Sequence, residues 1–201
     1  SVLKFVPGYD HLFWYVDQDR IVNEFEEFAT GQKTVTPSER VLLTILMTDI
    51  VGSTELVAGL GDDQWRALLD QHDEIVRRQL EIYDGSEINT TGDGFITAFT
   101  GPTRAIQCAQ AINFDLAKIG LNVKAGIHTG ECERRGGDIG GLAVHIAARI
   151  MDSASPSQIR VSSTVKDLVV GSQLDLEYLE ARSMKGLPGE WSLYEAHQGL
   201  H

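Results

Sequence analysis

The feature that most constrains the fold is an unbroken apolar run, VLLTILMT, at residues 41–48. Its length and its β-branched content predict a strand that is buried on both faces of a sheet. The run is far shorter than the ~18 apolar residues that a membrane-spanning helix needs. We therefore expect a soluble protein whose core is built around this strand.

Strand-like and helix-like segments alternate after this run. Asp62 can cap a helix with apolar residues at helical spacing up to Leu80, and Pro102 can open a second helix. The order predicts an α+β fold with a ferredoxin-like βαββαβ core, additional helices and strands, and helices on one face of the sheet. Further strands are predicted at residues 86–90, 95–99, 122–128, 158–162, 174–179 and 193–196, and a further helix at 142–151.

Residues 31–39, GQKTVTPSE, lack hydrophobic periodicity and indicate a linker. Residues 1–39 are then a tail and linker from an upstream domain, and residues 40–197 form one domain of ordinary size. The tail sequence PGYDHLFWYVDQDRIVNEFEEFATG resembles the C-terminal end of an α/β-hydrolase domain. That resemblance implies that His11 is a triad histidine and that the full-length chain carries an upstream α/β-hydrolase-like domain. The alternative is a tail that packs its aromatic side chains on the main domain or on a partner.

The charge balance excludes several classes of partner. Seventeen Lys and Arg against 29 Asp and Glu leave a formal net charge of -12, which repels nucleic acid and anionic membranes. Two cysteines without a Cys/His cluster indicate neither a disulfide framework nor a zinc site. No P-loop or serine-hydrolase motif is present. We expect a cytoplasmic protein that meets anionic ligands at a local positive site.

Two aspartates stand where a metal ion could bind. Asp49 ends the apolar strand and precedes small residues that enter a helix, so a carboxylate lies beside free backbone N–H groups. Asp93 lies between two glycines at a predicted hairpin tip. Each could merely serve a turn. If the hairpin lies beside the first strand, however, the two carboxylates converge and are the minimum protein ligation for Mg²⁺ on nucleotide phosphates.

A third segment, GGDIGGLAVHIAARI at residues 136–150, places Asp138 in a glycine-rich loop before a helix. His145 and Arg149 are four residues apart and share one helix face. Arg149 could be a solvated helix residue or could hold a phosphoryl group with two hydrogen bonds, and its position alone leaves both open. His128, beside chain-turning glycines, is expected to be structural.

Five co-linear motifs resemble the catalytic domain of the class III nucleotidyl cyclases. The resemblance runs from about residue 40 to residue 196 with every motif in order. It implies an adenylate cyclase that converts ATP to cyclic 3′,5′-AMP and pyrophosphate, with two divalent metal ions, Mg²⁺ or Mn²⁺, in a head-to-tail homodimer. The motifs are MTDIVGST (47–54), INTTGDGFITAF (88–99), AGIHTGE (125–131), GDIGGLAVHIAARI (137–150) and MKGLPGEWSLYEA (184–196).

The resemblance also implies a role for individual residues. Asp49 and Asp93 correspond to the metal-binding aspartates, assisted by the main-chain carbonyl of Ile50. Asp138 falls at the adenine-reading position, and Arg149 at the arginine that stabilises the transition state. The terminal phosphates are held by Lys185, and the backbone that cradles the phosphates belongs to Val51, Gly52, Ser53 and Thr54.

Two residues depart from the family pattern. Asn89 replaces the adenine-selective lysine, and His145 replaces the transition-state asparagine. Asp138 can accept a hydrogen bond from the amine of adenine but meets a second acceptor in guanine, so ATP is favoured. Asn89 excludes guanine less firmly, and we expect some GTP use. His145 keeps hydrogen-bonding capacity but differs from asparagine in shape and titration.

A rival interpretation follows from these two departures. The domain could be a weakly active or silent cyclase-like module that binds nucleotide and signals to an attached domain. The retained aspartates and cationic residues favour an enzyme instead. A diguanylate cyclase is excluded, because the G-G-D at residues 136–138 lacks the acidic residue that the corresponding hairpin requires and runs on into a helix.

Overall fold

The computed structural model describes residues 39–135 and 138–197, so the tail that contains His11 lies outside the described residues. The predicted division at residues 39 and 40 stays a prediction. The strands are β1 (Glu39–Ile50), β2 (Ser86–Thr90), β3 (Gly94–Phe99), β4 (Val123–Arg135), β5 (Asp138–Gly140), β6 (Ile159–Ser162), β7 (Leu176–Ser183) and β8 (Glu190–Ala196). The helices are α1 (Ser53–Leu60), α2 (Asp62–Ile82), α3 (Pro102–Ala117), α4 (Leu142–Ser153) and α5 (Ser163–Leu168).

The described strands form one mixed sheet in the order β2-β3-β1-β4-β6-β8-β7, and β5 pairs with β4. β1 lies antiparallel to both β3 and β4, whereas β4 and β6 run parallel. The succession β1, α2, β2, β3, α3, β4 is the predicted βαββαβ core, so the predicted α+β fold is confirmed. The central position of β1 explains why it is apolar along most of its length. The strands β3 and β4 cover its two edges, and helices cover both of its faces.

Helices lie on both faces of the sheet, and the prediction of helices on one face is wrong. One core cluster joins α2 and α3 to residues such as Leu46 and Phe99. A second cluster on the opposite face joins α4 to Leu43, Ile45 and Met47 of the same β1 strand. Successive residues of a strand point to opposite faces, so a strand that is apolar at every position needs two covering layers.

Helix α4 approaches β4 unusually closely at Gly126. A Cβ atom at this glycine would lie 2.5 Å from the carbonyl oxygen of Ala147 and 2.7 Å from Cα of Met151. Both are backbone atoms of α4, which cannot move aside as a flexible side chain can. The missing side chain at residue 126 therefore lets α4 lie directly on the sheet.

A charged cluster joins α2 to α3. Asp115 accepts hydrogen bonds from Lys118 Nζ (2.7 Å), Arg78 Nη2 (2.9 Å) and Gln79 Nε2 (2.8 Å). The hydrogen bond from Lys118, followed by that from Arg78, lowers the pKa of Asp115 below its usual range. Its side chain is 16% exposed, so these bonds are partly shielded from water.

We expect Asp115→Ala to lower the free energy of unfolding by about 2 kcal/mol at pH 7, because the buried Gln79 loses its hydrogen-bond partner. A carboxyl with a lowered pKa stabilises the fold fully above its unfolded value of roughly 3.9, and this contribution is lost as the pH falls through the folded value. Denaturant unfolding at pH 7 and pH 3 should show the difference shrinking in acid. Asp70→Ala on exposed α2 surface is the matched control and should change stability by less than about 0.5 kcal/mol.

Candidate active site

A cleft of about 370 Å³ opens where β1 ends and α1 begins. Its wall includes Asp49, Lys124 and the backbone that connects the two elements. Gly52 precedes α1 in the left-handed conformation (φ 69°, ψ 28°), which is unfavourable for residues that carry a Cβ atom. Within the part of the chain that the structure describes, no side chain makes a capping hydrogen bond to α1, so the N–H groups of its first turn lack a side-chain acceptor. An anionic group is suited to this position.

The backbone between β1 and α1 refines the predicted phosphate cradle. Val51 N donates to the carbonyl of Asn122 at 2.9 Å, so this N–H is already used inside the protein. The Val51 N–H is therefore not available to a phosphate, and the predicted phosphate-binding role of the backbone from Val51 to Thr54 stays a prediction. The remaining candidates are Gly52, Ser53 and Thr54, all of which line the cleft.

The β2–β3 hairpin lies beside β1, as the two-aspartate interpretation required. Asp49 is the cross-strand partner of Gly94, and Ile50 N donates to the carbonyl oxygen of Asp93 at 3.3 Å. A Cβ placed on Gly94 would lie 3.4 Å from Asp49 Oδ1, so the Asp49 carboxylate reaches across to the hairpin. Asp49 and Asp93 therefore belong to one corner of the sheet.

Lys124 was missed by the sequence analysis. Its Nζ lies 3.0 Å from Asp49 Oδ2, and the two side chains are only 23% and 28% exposed. The pairing arises because Lys124 stands opposite Asp49 in the antiparallel register of β1 and β4. A lysine at the start of an otherwise apolar strand was the available signal, but its partner depends on the register.

The residues at this corner fit a divalent cation. Carboxylate and carbonyl oxygens are the ligands that Mg²⁺ and Mn²⁺ prefer, and the Asp49 carboxylate already attracts the Lys124 ammonium group. Within residues 39–135 and 138–197, no group of three or more His, Cys, Asp or Glu side chains is placed to hold a metal ion. Substrate oxygens would have to complete the coordination, as is common for Mg²⁺ on phosphates.

The two predicted base-reading residues lie in different places. Asp138 lies elsewhere on the sheet, on β5, whereas Asn89 belongs to the hairpin that carries Asp93. Asp138 begins β5 and is exposed, and its Oδ1 accepts from Ile139 N at 2.9 Å. Asn89 is exposed on β2, and its Oδ1 accepts from Thr90 N at 2.8 Å. Each side chain accepts a backbone N–H with one oxygen. Among the described residues, the second carboxylate oxygen of Asp138 and the NH₂ group of Asn89 have no hydrogen-bond partner.

The predicted cationic residues are exposed. His145 and Arg149 share the exposed face of α4, and Arg149 Nη1 lies 3.1 Å from Asp152 Oδ2. Lys185 is exposed in the turn between β7 and β8. Met184, which precedes Lys185, packs in one cluster with Ile146 and Ile150 of α4. Exposure leaves the three side chains available to a ligand or to a second chain.

One chain does not bring Asp138 to the aspartate pair. Its neighbour Ile139 lines a cleft with Leu43. Leu43 lies six residues before Asp49 on β1, a separation of roughly 20 Å along the strand. This separation along β1 exceeds the distance between the base and the phosphates of a single nucleotide.

His128 is a structural residue, as expected. It is buried, its Nδ1 lies 2.8 Å from Ser162 Oγ, and its ring meets Trp191 edge-on at 5.8 Å. Burial lowers the pKa of His128 to about 4. The imidazole is therefore neutral at physiological pH.

The fold is that of the nucleotide cyclases. The adenylyl cyclase CyaB from P. aeruginosa superposes with a TM-score of 0.76 at 20% identity, over 81% of this chain and 97% of that one. A family model described as "Adenylate and Guanylate cyclase catalytic domain" matches residues 35–198. The chain belongs to this family and contains a cyclase catalytic domain.

Two curated relatives are adenylate cyclases. The chain is 32% identical over 152 residues to the adenylate cyclase of Lachancea kluyveri, and this match covers 60% of the chain. It is 30% identical over 175 residues to the adenylate cyclase of Podospora anserina, and this match covers 72% of the chain. The match spans 8% of the length of each relative. No helix in the described part of the chain combines the length and the apolar character that crossing a membrane requires.

Proposed function

We propose that this domain is an adenylate cyclase that converts ATP to cyclic 3′,5′-AMP and pyrophosphate by two-metal-ion catalysis at a homodimer interface. The observation that carries the proposal is the corner where Asp49 and the Asp93 hairpin meet beside the uncapped start of α1. A carboxylate pair beside free N–H groups suits a triphosphate that arrives with its cations. The adenylate cyclase relatives support the choice of nucleotide.

Asp49 and Asp93, with the carbonyl of Ile50, are the proposed ligands of two divalent ions. Such ions supply charge neutralisation of the phosphates and activation of the ribose 3′-hydroxyl. Asp49 must exchange its Lys124 partner for a metal, since one carboxylate oxygen is held at 3.0 Å by the ammonium group. Lys124 then stays at the cleft wall as a cation beside the phosphates.

The reaction needs little covalent chemistry from the protein. The 3′-oxygen bonds to the α-phosphorus while the bond to the pyrophosphate oxygen breaks. Pyrophosphate leaves with the bonding electron pair, and the 3′-hydroxyl proton passes to water. Backbone N–H groups of Gly52, Ser53 and Thr54 stabilise phosphate oxygens. Arg149 supports the α-phosphate and Lys185 the pyrophosphate, and His145 can hydrogen-bond the ribose or a phosphate.

The free groups of the base-reading pair suit adenine. The NH₂ of Asn89 can donate to adenine N1, and the second oxygen of Asp138 can accept from the adenine amine. Guanine would place its N1–H donor against the NH₂ of Asn89 and its O6 acceptor against the carboxylate of Asp138. The backbone hydrogen bond of Asn89 thus makes this residue a donor, as the lysine of the family is.

A head-to-tail homodimer joins the two halves of the site. Asp138 and the metal pair are separated along the sheet within one chain, and this separation supports a dimer in which a second chain supplies Asp138 to the metal side. The exposure of His145, Arg149 and Lys185 is consistent with a role across that interface. Two symmetric sites follow from the twofold relation of the chains.

Product analysis tests the proposed function. The chain is incubated with ATP and, separately, with GTP, each with Mg²⁺ or Mn²⁺, and the products are separated by chromatography. We expect cyclic AMP and pyrophosphate from ATP and a smaller amount of cyclic GMP. Nucleotide binding without either cyclic product would favour the weakly active or silent regulatory module, which the departures at Asn89 and His145 support.

Variants at Asn89 test how the base is chosen. Asn89→Asp replaces the free donor with an acceptor, so we expect kcat/KM for ATP to fall roughly tenfold and the ratio of GTP to ATP use to rise. Asn89→Lys keeps a donor at this position and should preserve preference for ATP. Parallel kinetics with both nucleotides provide the measurement. An unchanged ratio in Asn89→Asp would remove Asn89 from the base-reading site.

A further inference from the structure

Two buried polar atoms without a hydrogen-bond partner lie behind the aspartate pair. Thr48 is 3% exposed and His72 is fully buried, and neither Thr48 Oγ1 nor His72 Nε2 has a partner within the described structure. A buried polar group left without a partner destabilises a protein, because it gives up its hydrogen bonds to water and gains none in return. Two such groups near one site therefore require a physical explanation.

The two side chains meet the same aromatic ring. Thr48 is the cross-strand partner of Phe95, so both side chains project from the same face of the sheet. The His72 ring lies 5.6 Å from the Phe95 ring, between centroids, from the helix that covers this face. Thr48 and His72 thus approach Phe95 from the sheet and from α2.

The chemistry of the two groups is complementary. His72 Nδ1 lies 3.0 Å from Asp73 Oδ1, and a carboxylate can only accept, so Nδ1 carries the proton. In a neutral ring Nε2 is then a bare acceptor, and the Thr48 hydroxyl can donate to it. Burial lowers the pKa of His72, which favours this neutral form; the charges of Asp73 and Asp93 act in the opposite direction, and Arg77 acts with burial.

We propose that Thr48 Oγ1 donates to one buried water molecule, which in turn donates to His72 Nε2, and that this link positions the strand ends that carry the metal ligands. Thr48 immediately precedes Asp49, and Phe95 follows Asp93 by two residues. A fixed link from α2 through Thr48 holds β1 and the hairpin at one relative position. Thr48 and His72 are positioning residues in this scheme and do not touch substrate.

The inference rests on the proposed metal role of Asp49 and Asp93, and the sign of one substitution tests the link independently of that role. Thr48→Val keeps the shape of the side chain and removes the hydroxyl. If Oγ1 is linked to His72, we expect the melting temperature to fall by roughly 3 °C. If Oγ1 has no partner, removal of an unsatisfied buried hydroxyl raises the melting temperature and overturns the proposal.

A double-mutant cycle isolates the coupling between the two residues. His72→Phe retains an aromatic ring against Phe95, and the double variant replaces both linked groups with apolar ones. We expect the double variant to melt higher than the sum of the single effects predicts, because neither polar atom is left alone. Additive effects would contradict the link.

Binding of Mn²⁺ alone, followed by electron paramagnetic resonance, tests the positioning role. We expect Thr48→Val to weaken Mn²⁺ binding roughly tenfold, at the lower end of what loss of an outer-shell partner causes. Thr48→Ser, which keeps the hydroxyl, should restore wild-type affinity. Thr44→Val is the matched control, because Thr44 lies on the same strand and face but pairs with Thr129 at 2.8 Å, away from the aspartates.

The outcomes separate the two proposals. A wild-type chain that binds no Mn²⁺ removes the metal role of the aspartates, and the melting temperatures still decide whether Thr48 and His72 are linked. A thermal coupling with unchanged Mn²⁺ affinity in Thr48→Val would show that the link is purely structural and would overturn its positioning role.

Discussion

Cyclic AMP formation should fall at least roughly a thousandfold in Asp93→Ala, the order expected when several kcal/mol of charge stabilisation is lost. Asp93 lies at the tip of the β2–β3 hairpin. Its backbone carbonyl oxygen, not its side chain, accepts the hydrogen bond from Ile50 N of β1. The substitution therefore removes a proposed metal ligand without removing that contact. We expect the circular dichroism spectrum and the melting temperature to stay close to those of the wild type.

A matched control separates ligand loss from loss of negative charge. Glu74→Gln removes one carboxylate from the exposed surface of α2, away from the cleft, and should leave turnover within a factor of about two. Turnover is measured as cyclic AMP released at saturating ATP and Mn²⁺. Substantial activity in Asp93→Ala would exclude Asp93 as a metal ligand.

Mixing two inactive variants should restore activity. Asp49→Ala destroys the metal side of its own chain, and Arg149→Ala destroys the opposite side. In a heterodimer of the two, one site inherits both defects and the other inherits neither. If equal amounts of the chains pair at random, half of the dimers carry one working site, so we expect about a quarter of wild-type activity.

The control mixture combines Asp49→Ala with Asp93→Ala. Both residues belong to the metal side, so every site in this mixture lacks one metal ligand and the mixture should stay inactive. Dimerisation of each mixture is followed by analytical ultracentrifugation, so that failure to pair is recognised. Dimers of Asp49→Ala with Arg149→Ala that remain inactive would contradict a site shared between chains.

Local patterns were enough to predict the βαββαβ core. The apolar run predicted that β1 is buried on both faces. The hairpin around Asp93 was predicted from its turn residues and the short strands on either side. β4 was predicted to end at residue 128 but continues to Arg135. Its last residues include Glu131 and Arg134, which have no apolar pattern and are held by pairing with β1.

Features that depend on register and layer order could not be predicted. The ion pair of Lys124 with Asp49 and the bond from Val51 N to Asn122 both join segments about seventy residues apart in the chain. The placement of α4 on the opposite face was also hidden, because the apolar residues of a helix show that it packs but not on which side. The Asp93 hairpin could be placed beside Asp49 only conditionally.

The close approach at Gly126 has a mechanical consequence. The backbone of α4 lies directly against the backbone of β4, so α4 cannot slide or rotate on the sheet without a steric clash. Arg149 on α4 therefore moves together with β4. Because β4 pairs with β1 along its length, Arg149 and Asp49 of one chain are held at a fixed relative position. In the proposed homodimer, we expect an activating signal to act by rotating one chain as a whole relative to the other.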